Sequence, residues 1–368
     1  MRTALTDLLG VDHPVVGFNR SPAVVAAVTN AGGFGVLAGS AFTPAELDAQ
    51  LSWIEEQVGG RPYGVDLLVP EKLVAGEVAA LRAQIPEEHF AFVAELLDRY
   101  DIPQAATSGE EAGRFAANLD PAGAAALLDV AFRHDITLFA NALGAPPPGV
   151  VERCKAAGVV VAALVGQAKH ARRQLDAGVD LLIAQGTEAG GHTGTIATMV
   201  LTPEIVEIAG DRPVLAAGGI ASGSQMAAAL ALGAAGVWTG SVWLSSEEDV
   251  ANQAIKSKFL AATSSDTLRS PTRTGKPARQ LRTAWHDAWE AAGSPRPLPM
   301  PLQPLLVAEA WQRIDAAAQD GHPGALELES FFIGQVVGGF TEVRPAAEIL
   351  RDLVTGCEQR IRALNGIL

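Results

Sequence analysis

Short runs of apolar residues alternate along the chain with segments that carry helix signals. Eight of these runs are four to eight residues long, which is the length of a buried strand. Strands that alternate with helices are typical of a parallel sheet with helical crossover connections. The predicted strands are 14–17, 34–39, 63–69, 136–143, 159–165, 180–185, 214–219 and 236–240.

Several intervening segments have the residues that begin a helix. Thr43 and Glu46 have the spacing of a capping box. Ser21 followed by Pro22 suits an N-cap and the first helical position. The predicted helices are 23–30, 47–58, the amphipathic 90–100 and 121–132, and 225–232, the last capped by Ser222 or Ser224.

Eight strand–helix units within about 240 residues predict an α/β fold of the TIM (β/α)8 barrel type. A doubly wound Rossmann sheet is the alternative. The turn after the first strand, Gly17-Phe18-Asn19-Arg20-Ser21, is not the GxGxxG motif of that fold, and no P-loop motif occurs. The barrel is therefore the preferred interpretation.

Two stretches exceed eight minimal units and predict the domain organisation. The barrel covers 1–244 and contains a helix-rich insertion at about 71–133. The segment 245–329 is predicted to form a helical lid over the carboxyl ends of the strands, where such insertions commonly shape a substrate site. Residues 330–368 are predicted to return to the barrel.

Composition and charge exclude several classes of protein. The chain has 368 residues, 48% of them hydrophobic, so it can bury a large core. Its formal net charge of −14 argues against binding to nucleic acid or to an anionic membrane. Cys154 and Cys357 stand far apart and the amino terminus does not resemble an export signal, so we expect a cytoplasmic protein.

A stretch of 34 residues, 213–246, contains no Lys, Arg, Asp or Glu. By count alone it is long enough for a membrane span. Six glycines interrupt it, and no uninterrupted apolar segment of about 20 residues exists inside it. We interpret it as a buried strand, a loop, a helix and a second strand.

The run Gln185-Gly186-Thr187-Glu188-Ala189-Gly190-Gly191-His192 follows the sixth predicted strand. Its glycines allow the backbone to lie against a planar ligand. The run then presents His192 at the end of a barrel where strand ends supply catalytic groups. An imidazole is suited to general acid–base chemistry at neutral pH. The alternative is a turn histidine that bonds only a backbone carbonyl.

Glycines and hydroxyls also follow the last two strands. Gly218 and Gly219 come after the seventh strand, and Thr239, Gly240 and Ser241 after the eighth. Free backbone N–H groups near helix amino termini bind phosphate without a lysine. A phosphate beside a histidine indicates a cofactor with a flat ring and a phosphate tail, and flavin mononucleotide (FMN) is the simplest candidate. The remaining histidines form no ligand cluster, so no metal site is predicted.

These segments resemble, in order and spacing, the nitronate monooxygenase family, formerly called 2-nitropropane dioxygenases. The resemblance implies an FMN-containing TIM barrel with a smaller helical domain over the active site. It implies that His192 is the catalytic histidine and that Gly191, Gly218, Gly219, Thr239 and Gly240 hold the flavin. The matching segments are GTEAGGHTG (186–194), AAGGIASG (216–223), GVWTGSVWL (236–244), TGKPARQLR (274–282) and NAGGFGVLAG (30–39).

The chain also departs from this family. Relatives usually line the flavin with a Gln-Ala-Pro/Gly-Met segment after strand 1, where this chain has Gly17, Phe18 and Asn19. Asp66 stands where relatives often carry Asn, and the lysine that some place at strand 5 is absent. Gln185, Gly190 and Ser241 complete the candidate cofactor-binding residues. Lys276, Arg279 and Gln335 could reach the site, although exposed helix charges are the preferred interpretation of Lys276 and Arg279. Trp238 and Trp243 are interpreted as core.

The function predicted from these features is the FMN-dependent oxidation of alkyl nitronates, and of nitroalkanes, by O₂ to a carbonyl compound and nitrite. One alternative is an NAD(P)H-dependent flavin reductase of quinones or enoyl thioesters. Another is a flavin- or phosphate-binding protein without catalysis. The expected partners are a small-molecule substrate and O₂, and self-association into a homo-oligomer is left open.

Overall fold

Eight parallel strands close into a barrel in the computed structural model, which describes residues 1–69, 78–104 and 121–367. Each strand pairs with the next along the chain, and the eighth pairs with the first. The TIM barrel is thereby confirmed, as are all eight predicted strands. They are β1 (Val15–Asn19), β2 (Phe34–Ala38), β3 (Gly64–Asp66), β4 (Leu138–Asn141), β5 (Val160–Val165), β6 (Leu181–Gln185), β8 (Val214–Ala217) and β9 (Gly236–Thr239).

A second, antiparallel sheet lies beyond the carboxyl end of β6. Its strands run in the order β10, β11, β7, and the sequence pattern did not predict them. Each strand is only two to four residues long, too short for a periodic pattern to show. They are β7 (Gly191–His192), β10 (Thr267–Ser270) and β11 (Ala278–Leu281).

Helices surround the barrel and build the lid. The predicted helices over 23–30, 47–58, 90–100, 121–132 and 225–232 are confirmed with small shifts at their ends. The helices are α1 (Ala4–Leu9), α2 (Pro22–Asn30), α3 (Pro44–Val58), α4 (Val78–Arg82), α5 (Glu87–Arg99), α6 (Pro121–Ala131), α7 (Pro148–Ala156), α8 (Ala168–Asp176), α9 (Thr198–Ala209), α10 (Gly223–Ala231), α11 (Gln253–Ala261), α12 (Ala284–Glu290), α13 (Leu302–Gln319), α14 (Pro323–Leu328) and α15 (Ala346–Asn365).

The helix caps follow the sequence with one exception. Thr43 and Glu46 form the predicted capping box, and the Ser222 side chain accepts a hydrogen bond from the Gln225 N–H. Ser21 occupies the predicted N-cap position of α2, but its side chain makes no capping hydrogen bond. Its hydroxyl instead donates to the carbonyl of Glu248 at 2.6 Å, in the chain that follows β9. Pro22 follows at the first helical position, as predicted.

The interior of the barrel is apolar because the strands alternate inward- and outward-facing side chains. Val16, Phe34 and Ile183 belong to the inward cluster, whereas Val15 and Leu37 pack against the helices. Leu5 and Leu9 of α1 join the inward cluster and close the barrel at the amino ends of the strands. A ligand can therefore enter only from the carboxyl ends.

The lid helices share a core that two distant parts of the chain build together. Leu96 and Leu97 of α5 pack with Trp285 of α12 and with Trp311 and Ile314 of α13. The insertion after β3 is thus joined to the segment after β9. The predicted boundaries at 244 and 329 stay predictions, and 71–77 and 105–120 of the insertion lie outside the described residues.

The uncharged stretch 213–246 forms β8, α10, β9 and a short 3-10 helix, Ser241–Ser245. Its glycines indicated the strand, loop, helix and second strand. Across the described ranges, no helix has both the length and the apolar character to cross a membrane.

Candidate active site

The last inward-facing residue of each barrel strand lines the open end of the barrel. We call these eight side chains the mouth residues. Three of them are alanines, which leaves room above the apolar core for a flat ligand, and only two are polar. The mouth residues are Phe18, Ala38, Asp66, Ala140, Leu164, Gln185, Ala217 and Trp238.

His192 lies at this end of the barrel on its own strand, β7, opposite Ala278 of β11. Its Nε2 atom lies 2.8 Å from the hydroxyl of Thr274. That hydroxyl donates its hydrogen to the carbonyl of Lys276 at 3.0 Å, so Nε2 must be the donor in the contact with His192. Nδ1 is therefore the unprotonated nitrogen and is available to a ligand.

The surroundings of His192 keep it neutral. The protein around the ring lowers the pKa of His192 below its usual 6.5, and the nearby Lys276 ammonium lowers it further. A neutral imidazole can accept a proton at pH 7. The predicted catalytic histidine thus has the tautomer and the charge state of a general base.

Cationic side chains border the same place, although the whole protein is acidic. The ring of Phe332 lies 6.4 Å from that of His192, and the guanidinium of Arg273 lies 5.0 Å from the centre of Phe332. Arg273 is also 3.9 Å from the centre of the Trp311 ring. Lys276 adds a second positive charge. This border favours a negatively charged substrate.

Thr274, Arg273 and Phe332 are functional candidates that the sequence pattern missed. Thr274 opens the TGKPARQLR segment, which was quoted only for its resemblance. Phe332 and Arg273 are far from His192 in the sequence and come near it only in the folded structure. The sequence signal that could have found Arg273 and Thr274 is a loop with basic and hydroxyl-bearing side chains in an otherwise acidic chain.

The loops after β8 and β9 have the main-chain donors that a phosphate needs. Gly218 and Gly219 have positive φ angles of 95° and 73°, and a Cβ on Gly218 would lie 2.9 Å from the Ala189 nitrogen. No main-chain carbonyl of the described residues accepts a hydrogen bond from the N–H groups of Gly218, Gly219 or Gly240. Ser241 accepts from the Gly334 N–H at 2.8 Å and keeps its own hydroxyl hydrogen for a ligand. These residues fit a phosphate group.

Three predicted cofactor residues face away from the mouth. A Cβ on Gly17 would meet Val28 of α2, so this position packs against the helical layer. The amide of Asn19 binds the buried Asp249 at 2.8 Å. The hydroxyl of Thr239 donates to the Val16 carbonyl at 2.9 Å and accepts from the Trp243 indole. Any contact of these three residues with a cofactor would have to use main-chain groups.

Other predicted residues do lie at the mouth. Phe18 stacks on Trp238 with ring centres 5.6 Å apart, and together they form an aromatic floor. Gln185 ends β6 as an inward-facing residue, half-buried. Gly190 and Gly191 carry the chain from there to His192.

The structure also places four further residues that the sequence singled out. Arg279 is buried in β11, where it donates to the Thr187 carbonyl at 2.8 Å and so holds the loop before His192. Lys276 is exposed in the loop before that strand, so neither residue lies on a helix. The N–H of Gln335 donates to the Glu188 carbonyl at 2.9 Å, which brings the carboxyl-terminal segment back to the barrel. Trp243 is fully buried.

The described ranges contain no group of three or more His, Cys, Asp or Glu side chains placed to hold a metal ion. The absence of a metal stays a prediction.

Comparison with known proteins gives a consistent set of relatives. The family model described as nitronate monooxygenase matches residues 2–356. A Mycobacterium tuberculosis protein named "Putative monooxygenase Rv1533" is 53% identical over 375 residues, with 100% of both chains covered. A Rhodococcus jostii protein named (3aS,4S,5R,7aS)-5-hydroxy-7a-methyl-1-oxo-octahydro-1H-indene-4-carboxyl-CoA dehydrogenase is 31% identical over 404 residues, covering 100% of this chain and 99% of its own.

Among solved structures, the nitroalkane oxidase from Streptomyces ansochromogenes superimposes on this chain with a TM-score of 0.80 at 26% identity. The match covers 98% of this chain and 100% of the oxidase. The barrel and the lid are thus both part of the shared architecture.

Proposed function

The chain belongs to the nitronate monooxygenase family, and from this premise we propose that it oxidises alkyl nitronates with O₂, using FMN, to a carbonyl compound and nitrite. Membership of this family makes the protein an oxidoreductase, so a binding protein without catalysis is excluded. The observation that carries the proposal is the neutral His192, fixed by Thr274 and bordered by Lys276 and Arg273.

The mouth residues support a flavin in this place. The unpartnered N–H groups of Gly218, Gly219 and Gly240 would hold its phosphate, and the floor of Phe18 and Trp238 would support a flat ring. Bound flavin would accept electrons from the substrate and pass them to O₂. The protein's part is to place the substrate and to keep water away from it.

His192 and the cationic border have separate tasks in this proposal. Lys276 and Arg273 attract the negative charge that a nitronate already carries. A neutral nitroalkane must first lose a proton from carbon, and Nδ1 of His192 is the base that takes it. Thr274 keeps the proton on Nε2 and so leaves Nδ1 free.

Oxygen uptake tests the activity directly. The protein loaded with FMN is mixed with propyl-2-nitronate, and O₂ consumption and nitrite are followed together. We expect both to exceed a blank with the same concentration of free FMN. Uptake no faster than that blank would refute the proposed reaction.

A pair of substrates tests the role of His192. His192→Asn should lower kcat/KM for neutral 2-nitropropane by about 100-fold or more, because general base catalysis contributes that much. It should change kcat/KM for propyl-2-nitronate only a few-fold, because that substrate is already deprotonated. His170→Asn, at an exposed position on α8, is the matched control and should change neither value. Equal losses on both substrates would contradict the role as base.

An NAD(P)H-dependent reductase is the second candidate, because one full-length relative is named as a dehydrogenase of a carboxyl-CoA compound. Anaerobic mixing of the flavin-loaded protein with NADH or NADPH distinguishes the two. Rapid bleaching of the visible flavin band would favour the reductase, whereas nitronate oxidation needs no reduced nicotinamide. Location in the cytoplasm and self-association stay predictions.

A further inference from the structure

Asp66, one of the predicted cofactor-binding residues, is a buried carboxyl group at the mouth to which the proposed reaction gives no part in binding the substrate. It is the last residue of β3, and its inward direction follows from Val65, which packs outward against the helices. The strand register places Ala38 of β2 on one side and Ala140 of β4 on the other. Only 6% of the residue is exposed. The small neighbours leave its carboxyl group directed into the space where a ligand would lie.

No described residue pairs with this carboxyl group. It takes part in none of the side-chain hydrogen bonds or salt bridges, and the turn Gly39–Ala41 beside it contains no charged residue. The neighbouring strands face it with Ala38 and Ala140, and no described charged group contributes to its titration. Burial alone raises the pKa of Asp66 to about 7. Buried polar groups are normally hydrogen-bonded, so a partner from outside the chain is expected.

The charge of that partner decides which form of Asp66 can bind it. A buried carboxylate would repel a nitronate, whose oxygens carry negative charge. A protonated carboxyl group removes the repulsion and offers an O–H donor to one of those oxygens. An anion at the mouth also favours the protonated form of Asp66, because two negative charges in a low-dielectric site disfavour each other.

We propose that Asp66 binds the anionic substrate as a protonated acid, donating a hydrogen bond to one of its oxygens, so that substrate affinity is lost when this proton dissociates. The proposal rests on the proposed function, because it requires an anionic substrate at the mouth. It adds a specificity-determining residue on β3, three strands around the barrel from β6, the strand that leads to His192.

The pH dependence of KM tests it. Asp66 is protonated below its pKa and ionised above it, so KM for propyl-2-nitronate should be constant at low pH. Above pH 7 it should rise, by up to about tenfold per pH unit, while kcat changes little. Asp66→Asn keeps the shape and supplies a donor that does not titrate, so its KM should stay low across the range. Asp66→Ala should have a KM that does not change with pH and is about tenfold or more above that of the wild type at low pH, because the donor is lost.

A binding measurement makes the test independent of turnover. Isobutyrate is an inert carboxylate of similar shape to propyl-2-nitronate, and its Kd can be followed by the change it causes in the absorbance of bound flavin. The Kd should rise with pH in the wild type and stay constant in Asp66→Asn. Asp7→Asn, at an exposed carboxylate on α1 at the other end of the barrel, should behave as the wild type.

The two proposals fail in different ways. No O₂ uptake together with an Asp66-dependent rise in isobutyrate Kd would refute nitronate oxidation and leave the role of Asp66 supported. Normal uptake with a constant wild-type KM, or with the same rise in Asp66→Asn, would overturn the role of Asp66 alone. Isobutyrate that fails to bind the wild type at pH 6 also counts against Asp66. Circular dichroism and flavin content confirm that each variant is folded.

Discussion

At the scale of single residues, a neighbouring charge adds to the effect of the surrounding protein on His192. Desolvation of the ring by the surrounding protein lowers the pKa of His192 most, and Lys276 lowers it further. Lys276→Gln should therefore raise this pKa, and the base should become protonated at a higher pH as the solution is acidified. We expect the acid limb of kcat/KM for 2-nitropropane to move to higher pH, with a smaller movement at high salt. An unchanged limb at low ionic strength would show that Lys276 does not act on His192.

The sequence predicted the backbone shape at the candidate site residues whose proposed role depends on free N–H groups. Gly218 and Gly219 were recognised because glycine after a strand is itself the signal for a turn that exposes N–H groups. The direction in which a side chain points was harder to predict from the sequence. Asn19 and Thr239 sit beside the mouth in the sequence, yet their polar groups bind Asp249 and Val16. A one-residue difference along a strand turns a side chain to the other face, and the motif alone does not say which face is used.

At the scale of secondary structure elements, β2 and α2 pack so closely at Gly35 that an added methyl group would strain their contact. A Cβ on Gly35 would lie 2.3 Å from the Val25 carbonyl. Gly35→Ala should lower the free energy of unfolding by about 2 kcal/mol or more, since this contact is with the backbone. Urea denaturation measures the change.

Gly149 in α7 is the matched control, because a Cβ there would meet nothing within 4 Å. Gly149→Ala should leave stability unchanged or raise it by up to about 1 kcal/mol, the gain expected from helix propensity. Similar losses in both variants would show that the strand–helix contact is not the cause.

The elements that the sequence predicted are those with a repeated local pattern. Each barrel strand is an apolar run bounded by turn residues, and α3 starts at a capping box that is visible in four letters. Strands β7, β10 and β11 form only because distant segments come together, and none has the length to show alternation. The part of the site that depends on them, Thr274 beside His192, was accordingly missed.

At the scale of the whole molecule, a buried histidine in the lid makes the protein sensitive to acid. Burial, and secondarily the charge of Arg273, lower the pKa of His286 to about 3. The unfolded chain binds a proton at this residue near pH 6.5, but the folded protein does not until about pH 3. Stability from this group is therefore complete above pH 6.5 and falls as the solution is acidified toward pH 3.

His286→Gln removes this titration and keeps the helix cap, because Gln at this position can still accept from the Thr283 N–H that Nδ1 now binds at 3.2 Å. Between pH 7 and pH 4.5 the variant should lose less stability than the wild type, by about 1.4 kcal/mol for each pH unit below 6.5. Urea midpoints at the two pH values provide the measurement. His170→Gln, exposed on α8, should keep most of the acid sensitivity of the wild type.

The return of the carboxyl-terminal segment to the mouth has a consequence for biosynthesis. All eight barrel strands have left the ribosome once residue 239 has emerged. The hydroxyl of Ser241 can accept its hydrogen bond from the Gly334 N–H only later, because Gly334 lies 93 residues further along the chain. The carbonyl of Glu188, just before His192, accepts from the N–H of Gln335, which is synthesised later still relative to its partner. The contacts that complete the mouth therefore form only after the whole segment 245–329 has been synthesised, so a barrel with all eight strands paired still lacks part of its reactive end.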